Sequence, residues 1–336
     1  MRRVTIGQAS LKACAACAVA LALSLVVVEL VARLAIFGSD ALSYERMNSW
    51  GPLPPSEYVS RRRPSDHPPY LLKPNLDVLF KGARLRTNSS GFADREFQVD
   101  KAVGTERIAV IGDSLTMPTG VDLESSFHKR IEKRVASEPG RKVEFLNFAV
   151  GAYGALDYLG ILRDFALRYS PDLVVICWSL PGDVLFSAEP TSFPEPPRPM
   201  SGFHRLWSLE FLLPQPPPSE AFWTSWDEVD RLLDELDGLR GRGGFALLHV
   251  ILSQLSKPND GSFVRLKAEL VRRLAERSMA VADVDARFDS MVPPPDRGRL
   301  WISRFDEHPD EQAHEIYAKI LYDAYFREHF ALGEPW

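Results

Sequence analysis

Cysteine is scarce in this sequence. The three present are Cys14, Cys17 and Cys177, two in an N-terminal apolar stretch and one in a predicted strand. That placement excludes a disulfide framework. There is no CxxC…CxxC series and no HExxH pattern, so a structural or protease-type zinc ion has no ligand set. Basic charge is not in excess either. Forty Lys+Arg stand against 45 Asp+Glu, for a net −5, which gives no broad positive field for nucleic acid. Apolar residues are 45% and charged residues 25%. This usage excludes a mainly disordered chain, a collagen-like fibre and a multi-span membrane protein. The 336 residues suffice for one large domain or two small ones.

One long apolar run is present, at the N-terminus. Residues 13–28 are apolar or small apart from Ser24, and after Glu29 and Arg33 the run resumes through Phe37. As a helix, 13–37 measures about 37 Å, against a hydrocarbon core of about 30 Å. Glu29 and Arg33 are four apart and can pair on one face. Arg2, Arg3 and Lys12 precede the run, which places the N-terminus in the cytoplasm. The leading reading is a single-pass anchor over 1–38 in the cytoplasmic membrane, with the rest of the chain outside the cytoplasm. A cleaved signal peptide and a buried core helix are the alternatives. Against cleavage, the apolar core runs on without a polar small-x-small site.

Residues 39–103 are rich in turn formers and prolines and read as a membrane-proximal spacer with short strands. From about residue 104 the pattern changes. Short apolar runs at 107–111, 143–149, 173–178, 245–252 and 280–284 alternate with amphipathic stretches at 124–137, 156–168, 221–239 and 263–276, and 311–327 forms a last helix. Alternation of this kind predicts an α/β fold, a three-layer sandwich around a five-stranded parallel sheet. Right-handed crossovers give the flavodoxin-like order 2-1-3-4-5. Nine of the 26 prolines fall between Pro190 and Pro218. They mark an insertion over 186–220, either a functional lid or a covering loop.

Candidate chemistry lies at strand ends. The run 107–111 leads into Gly112-Asp113-Ser114-Leu115-Thr116. A Ser at the carboxyl edge of a parallel sheet, after a Gly that permits a sharp turn, is placed to meet a ligand. A helix N-cap is the plainer role for such a Ser. The second strand ends in Asn147-Phe148-Ala149-Val150-Gly151-Ala152-Tyr153-Gly154, and the third in Leu180-Pro181-Gly182-Asp183. Near the C-terminus, Asp306-Glu307-His308-Pro309 precedes the last helix, which carries His314.

These blocks together resemble the GDSL/SGNH hydrolase superfamily, most nearly its bacterial membrane-anchored members with one N-terminal helix. The likeness runs from about Leu71 to the C-terminus. It rests on TNSSGFADRE at 87–96, IAVIGDSLT at 108–116, VDLESSF at 121–127, LNFAVGAYG at 146–154, YSPDLVVICWSL at 169–180 and DEHPDEQAHEIYA at 306–318. The resemblance implies Ser114 as nucleophile, His308 as base and Asp306 as the carboxylate that orients it. It also implies an oxyanion hole from the N–H of Ser114, a second-block residue at Ala152 and a third-block residue at Gly182. His314 matches a second family His and reads as structural. A weak hydroxyl nucleophile needs such a base, and the base needs a fixed tautomer.

Three positions depart from the family pattern. Ala152 stands where the family has Gly, Gly182 where it has an Asn side-chain donor, and Asp306-x-His308 where it has Asp-x-x-His. The implied activity is a serine hydrolase or esterase that cleaves acyl esters through an acyl-serine. The alternatives are an O-acyltransferase on an envelope glycan, or a catalytically weakened relative that binds a glycan or partner. Expected partners are an acyl-ester substrate, with envelope polysaccharide or lipid as its source, and the membrane. No cofactor, metal or nucleic acid is implied.

Overall fold

A strand with helices on both faces has no side to keep wet, so its sequence is apolar throughout. Five strands of this kind form the central sheet. The computed structural model describes residues 8–50, 55–62, 68–180, 182–185, 206, 226–253, 255, 261–304 and 306–336. The chain divides into two compact units, one built on 1–52 and the other on 53–199 and 219–336.

In the second unit the strands are β1 (Val59–Arg61), β2 (Tyr70–Leu72), β3 (Asp77–Phe80), β4 (Ala83–Arg86), β5 (Glu106–Ile111), β6 (Val143–Asn147), β7 (Leu173–Trp178), β8 (Ala246–Ile251), β9 (Ala280–Asp283), β10 (Trp301–Ser303) and β11 (Asp306–Pro309). The large sheet has the order β6-β5-β7-β8-β9, and every neighbouring pair in it is parallel. Counted along the chain this is 2-1-3-4-5, as the sequence predicts.

Alternate residues enter two cores. Ala109 and Ile111 of β5 join Val174 and Ile176 of β7 on one face, with helices Ala155–Asp164, Trp226–Gly243 and Gly261–Glu276. Ile108 and Val110 join Val175 and Cys177 on the other, with helices Phe127–Ala136, Val284–Met291 and Glu311–Leu321. Each fully buried Leu, Ile or Phe contributes about 1.5–3 kcal/mol, so sheet and helices stabilise one another.

The stretch 39–103, read as a spacer, divides between the two units. Its second half packs into the first core through Tyr70, Leu72, Leu85, Phe92 and Phe97. Two elements escape the sequence reading: the helix Val284–Met291 and the β10–β11 hairpin, which is antiparallel and irregular in register. The insertion expected over 186–220 lies, except for Leu206, outside the described residues.

In the first unit, Gln8–Phe37 is a single helix. It is the one helix among the described residues long and apolar enough to cross a membrane. Its C-terminal half holds the expected pair, with Arg33 Nε donating to Glu29 Oε1 at 2.7 Å.

Candidate active site

β5 ends in a turn built on Asp113. The Asp113 carbonyl accepts the N–H of Met117 at 2.9 Å, and its carboxylate accepts the N–H of Leu115 at 2.9 Å and the Ser179 hydroxyl at 2.7 Å. Gly112 is required by close packing, because a Cβ there would collide with the Thr116 side chain and lie 3.1 Å from Cys177 Cβ. The turn leaves Ser114 half-buried at the carboxyl edge of the sheet. Thr119 Oγ1 donates to the Ser114 carbonyl at 2.9 Å. No hydrogen bond joins the Ser114 side chain to His308 among the described residues. The resemblance implies such a bond, and contacts of this type tighten when substrate is present.

The β6 loop meets this turn from the side. Val150 N–H donates to the Gly112 carbonyl at 3.2 Å, and a Cβ at Gly151 would sit 3.5 Å from Ser114 Cβ. Ala152 has φ +63°, the left-handed region that a Gly enters without strain. The residue here is Ala, and it is exposed. Asn147 ties the loop to the 87–96 segment. It donates Nδ2–H to the Ala93 carbonyl at 3.0 Å and accepts Ala149 N–H at 3.0 Å.

Gly182 opens a short helix, Gly182–Leu185, beyond β7, and brings no side chain. Below it Asp183 is buried and accepts the N–H of Ser179 at 2.5 Å. Burial raises Asp183 well above the ordinary carboxyl range, and the neighbouring Asp113 adds to this. Burial also raises Asp113, against the pull of its Ser179 and Leu115 hydrogen bonds. Ser179 therefore bridges two buried carboxyls beneath the site.

The candidate base, His308, lies on β11. A strand turns every second side chain to the same side, so Asp306 and His308 share a face. His308 Nδ1 pairs with Asp306 Oδ1, and the His308 N–H donates to the same oxygen at 3.3 Å. The shortened Asp-x-His spacing is therefore a strand spacing, and the carboxylate reaches the ring. A residue that the sequence reading missed completes the cluster. Lys81 Nζ lies 2.5 Å from Asp306 Oδ2 and 3.4 Å from His308 Nδ1. The Asp306 carboxyl is raised by burial, but the hydrogen bond and charge of His308 and the Lys81 ammonium outweigh this and bring it to about 2. It is an acceptor at any pH where the protein works. A neutral His308 that donates Nδ1–H to this carboxylate keeps the Nε2 lone pair.

His314 stands apart from this cluster in the second core, where its Nδ1 accepts Phe127 N–H at 3.4 Å. Burial lowers it to about 3, so it stays neutral and serves packing. No group of three or more His, Cys, Asp or Glu suited to a metal ion occurs among the described residues.

No family model and no curated protein matches the chain. Among solved structures, it is similar to an alpha/beta hydrolase enzyme from the metagenome of Lake Arreo, Spain, at 19% identity and TM-score 0.47, over 65% of this chain and 94% of that one. It is similar to a member of the lipolytic protein G-D-S-L family from Veillonella parvula, at 14% identity and TM-score 0.44, over 66% and 99%. It is also similar to a catalytic mutant of an acetylxylan esterase from Geobacillus stearothermophilus, at 14% identity and TM-score 0.48, over 69% and 97%.

Proposed function

We propose that the chain is a GDSL/SGNH-type serine esterase, tethered to the cytoplasmic membrane by Gln8–Phe37 with its α/β body on the outer side. The observation that carries the reading is the Asp306–His308 pair, set on a strand that follows the sheet whose first edge turn presents Ser114. In this reaction His308 Nε2 takes the Ser114 proton as Oγ attacks the ester carbonyl. The carbonyl π electrons move to oxygen, and the N–H groups of Ser114 and Ala152 stabilise that charge. Collapse breaks the C–O bond to the alcohol, which leaves with the proton from His308. Water repeats the sequence in reverse to release the acid and free Ser114. Asp306 orients the ring and stabilises the imidazolium throughout.

The hole lacks the side-chain donor that Asn would give at position 182. One such donor is worth about 10²–10³ in rate, so turnover is expected to be slow. The deciding experiment labels full-length protein with a fluorophosphonate probe and follows hydrolysis of a water-soluble acetyl ester. Labelling should vanish in Ser114→Ala and fall in His308→Ala. Each change should abolish turnover, and the pair should be no worse than either alone. Wild-type turnover in purified Ser114→Ala would sink the proposal and leave a binding role.

A further inference from the structure

We propose that Lys81 is a positioning residue for the His308–Asp306 pair, and that it sets the pH at which His308 becomes free to act as a base. Its catalytic meaning rests on the esterase reading above. Lys81 is at the tip of the β3–β4 hairpin, where Phe80 pairs with Ala83 and two residues make the turn. Lys81 has φ +50° and Gly82 φ +85°, both left-handed, as a two-residue hairpin turn of type I′ requires. A lysine in such a turn is strained relative to Asn or Gly, so the tip is held from outside.

The neighbouring loop supplies part of that hold. Gly120 has φ +73°, and a Cβ there would lie 3.1 Å from both the Lys81 carbonyl oxygen and Ile302 Cγ2 of β10. The β3–β4 tip, the Gly120 loop and the β10–β11 hairpin are therefore packed together. The ammonium meets the cluster at Asp306 Oδ2 and His308 Nδ1. The side chains of Lys81 and Asp306 are 24% and 17% exposed, so their attraction is less screened than that of a surface pair.

Two consequences follow from the geometry. Asp306 spends one oxygen on each partner, Oδ1 on His308 and Oδ2 on Lys81. That fixes the carboxylate plane, which a two-residue spacing alone would leave free to rotate. The second consequence is electrostatic. In a lone His–carboxylate pair, the full negative charge favours imidazolium. Here the ammonium offsets that charge and itself lies 3.4 Å from Nδ1, which disfavours imidazolium. Other titratable or charged groups lie near the pair among the described residues. Arg304 and Glu307 are exposed on its own hairpin. Asp113 lies beneath Ser114 with a raised pKa, and His314 is neutral in the core. Among the described residues, Lys81 is the cation in contact with Nδ1.

The test uses the full chain in detergent micelles with 13C-labelled histidine, the His308 signal being assigned with His308→Gln. Titration of that signal is compared in wild type, Lys81→Met, Lys81→Gln and Lys81→Arg, alongside kcat/KM against pH. Loss of the cation should move the His308 midpoint up by about one pH unit or more, and Lys81→Arg should stay near wild type. The acidic limb of kcat/KM should move with it. If His308 titrates as in wild type in both neutral variants, the proposal is overturned. It is equally overturned if activity drops at every pH while the limb stays in place, which is the mark of a merely structural lysine. The NMR midpoint is independent of turnover. An inactive wild type with a shifting midpoint would therefore reject the esterase reading and retain the Lys81–His308 link.

Discussion

The Tyr70 hydroxyl donates to the Gly151 carbonyl at 2.6 Å. The Tyr70 carbonyl in turn accepts the Tyr153 hydroxyl at 2.5 Å, and the two rings lie 5.3 Å apart. A strand 81 residues upstream thus grips both sides of Ala152, the residue assigned to the oxyanion hole. Tyr70→Phe should cost about 0.5–1.5 kcal/mol of stability. It should lower kcat more than it raises KM, because the loosened N–H matters most in the transition state. Urea unfolding and ester kinetics on the same preparation check both parts.

Ala152 carries a left-handed backbone with a side chain attached. That conformation costs a non-glycine residue about 1–2 kcal/mol, while Gly adds about 0.4–1 kcal/mol of unfolded-state freedom. Ala152→Gly should therefore stabilise slightly, by less than about 1.5 kcal/mol, and leave turnover intact because the N–H remains. Ala152→Val should lose stability, since a β-branched residue resists this region. Thermal melts of the two variants would separate them in opposite directions.

Asp183 offers a pH prediction. Its folded pKa is raised by burial and by Asp113. The folded state thus holds a proton that the unfolded chain releases above its ordinary carboxyl pKa. The stability tied to that proton is fully present below the unfolded pKa and is lost as pH rises through the folded one. Asp183→Asn keeps an acceptor for Ser179 N–H and should be flatter in stability from acid to neutral pH. Its advantage over wild type should grow with pH. Melting temperatures at a series of pH values check this, and parallel curves would contradict it.

Lys129 and Asp94 form a buried pair at 2.8 Å, each 1% exposed. Asp94 also accepts the Asn147 N–H at 2.7 Å, which holds the 87–96 segment to the end of β6. Lys129→Met would strand the carboxylate and should cost about 3–5 kcal/mol. Adding Asp94→Asn should return part of that loss. A double-mutant cycle in urea measures the coupling.

The sheet was legible because β5, β7 and β8 are almost uninterrupted apolar runs between turn signals, and strands buried on both faces have no other way to look. The β10–β11 hairpin was not. Asp306-Glu307-His308-Pro309 has neither an apolar run nor strong strand formers, and the strand exists there through pairing with Trp301–Ser303. For that reason the Asp-x-His spacing read as a defect when it was a change of local backbone. Lys81 was invisible for a different reason. Nothing in Phe80-Lys81-Gly82-Ala83 beyond a turn signal says that the tip meets residues near the far end of the chain. Ser114, Ala152 and Gly182 follow strands that were themselves readable, so their position beyond the sheet was open to the sequence while their roles were not.

Lys81 and Asp306 are 225 residues apart in sequence and in contact in the fold. At a synthesis rate of about 5–20 residues per second, the strand before Ser114 leaves the ribosome roughly ten seconds or more before the hairpin that bears His308. Long-range contacts of this kind form late, after the entropy of closing the loop has been overcome. A nascent or truncated chain therefore presents Ser114 with no partner to ionise it. On the proposed esterase reading, Ser114 gains its base only when this last segment docks, so chemical competence would report on completion of the fold.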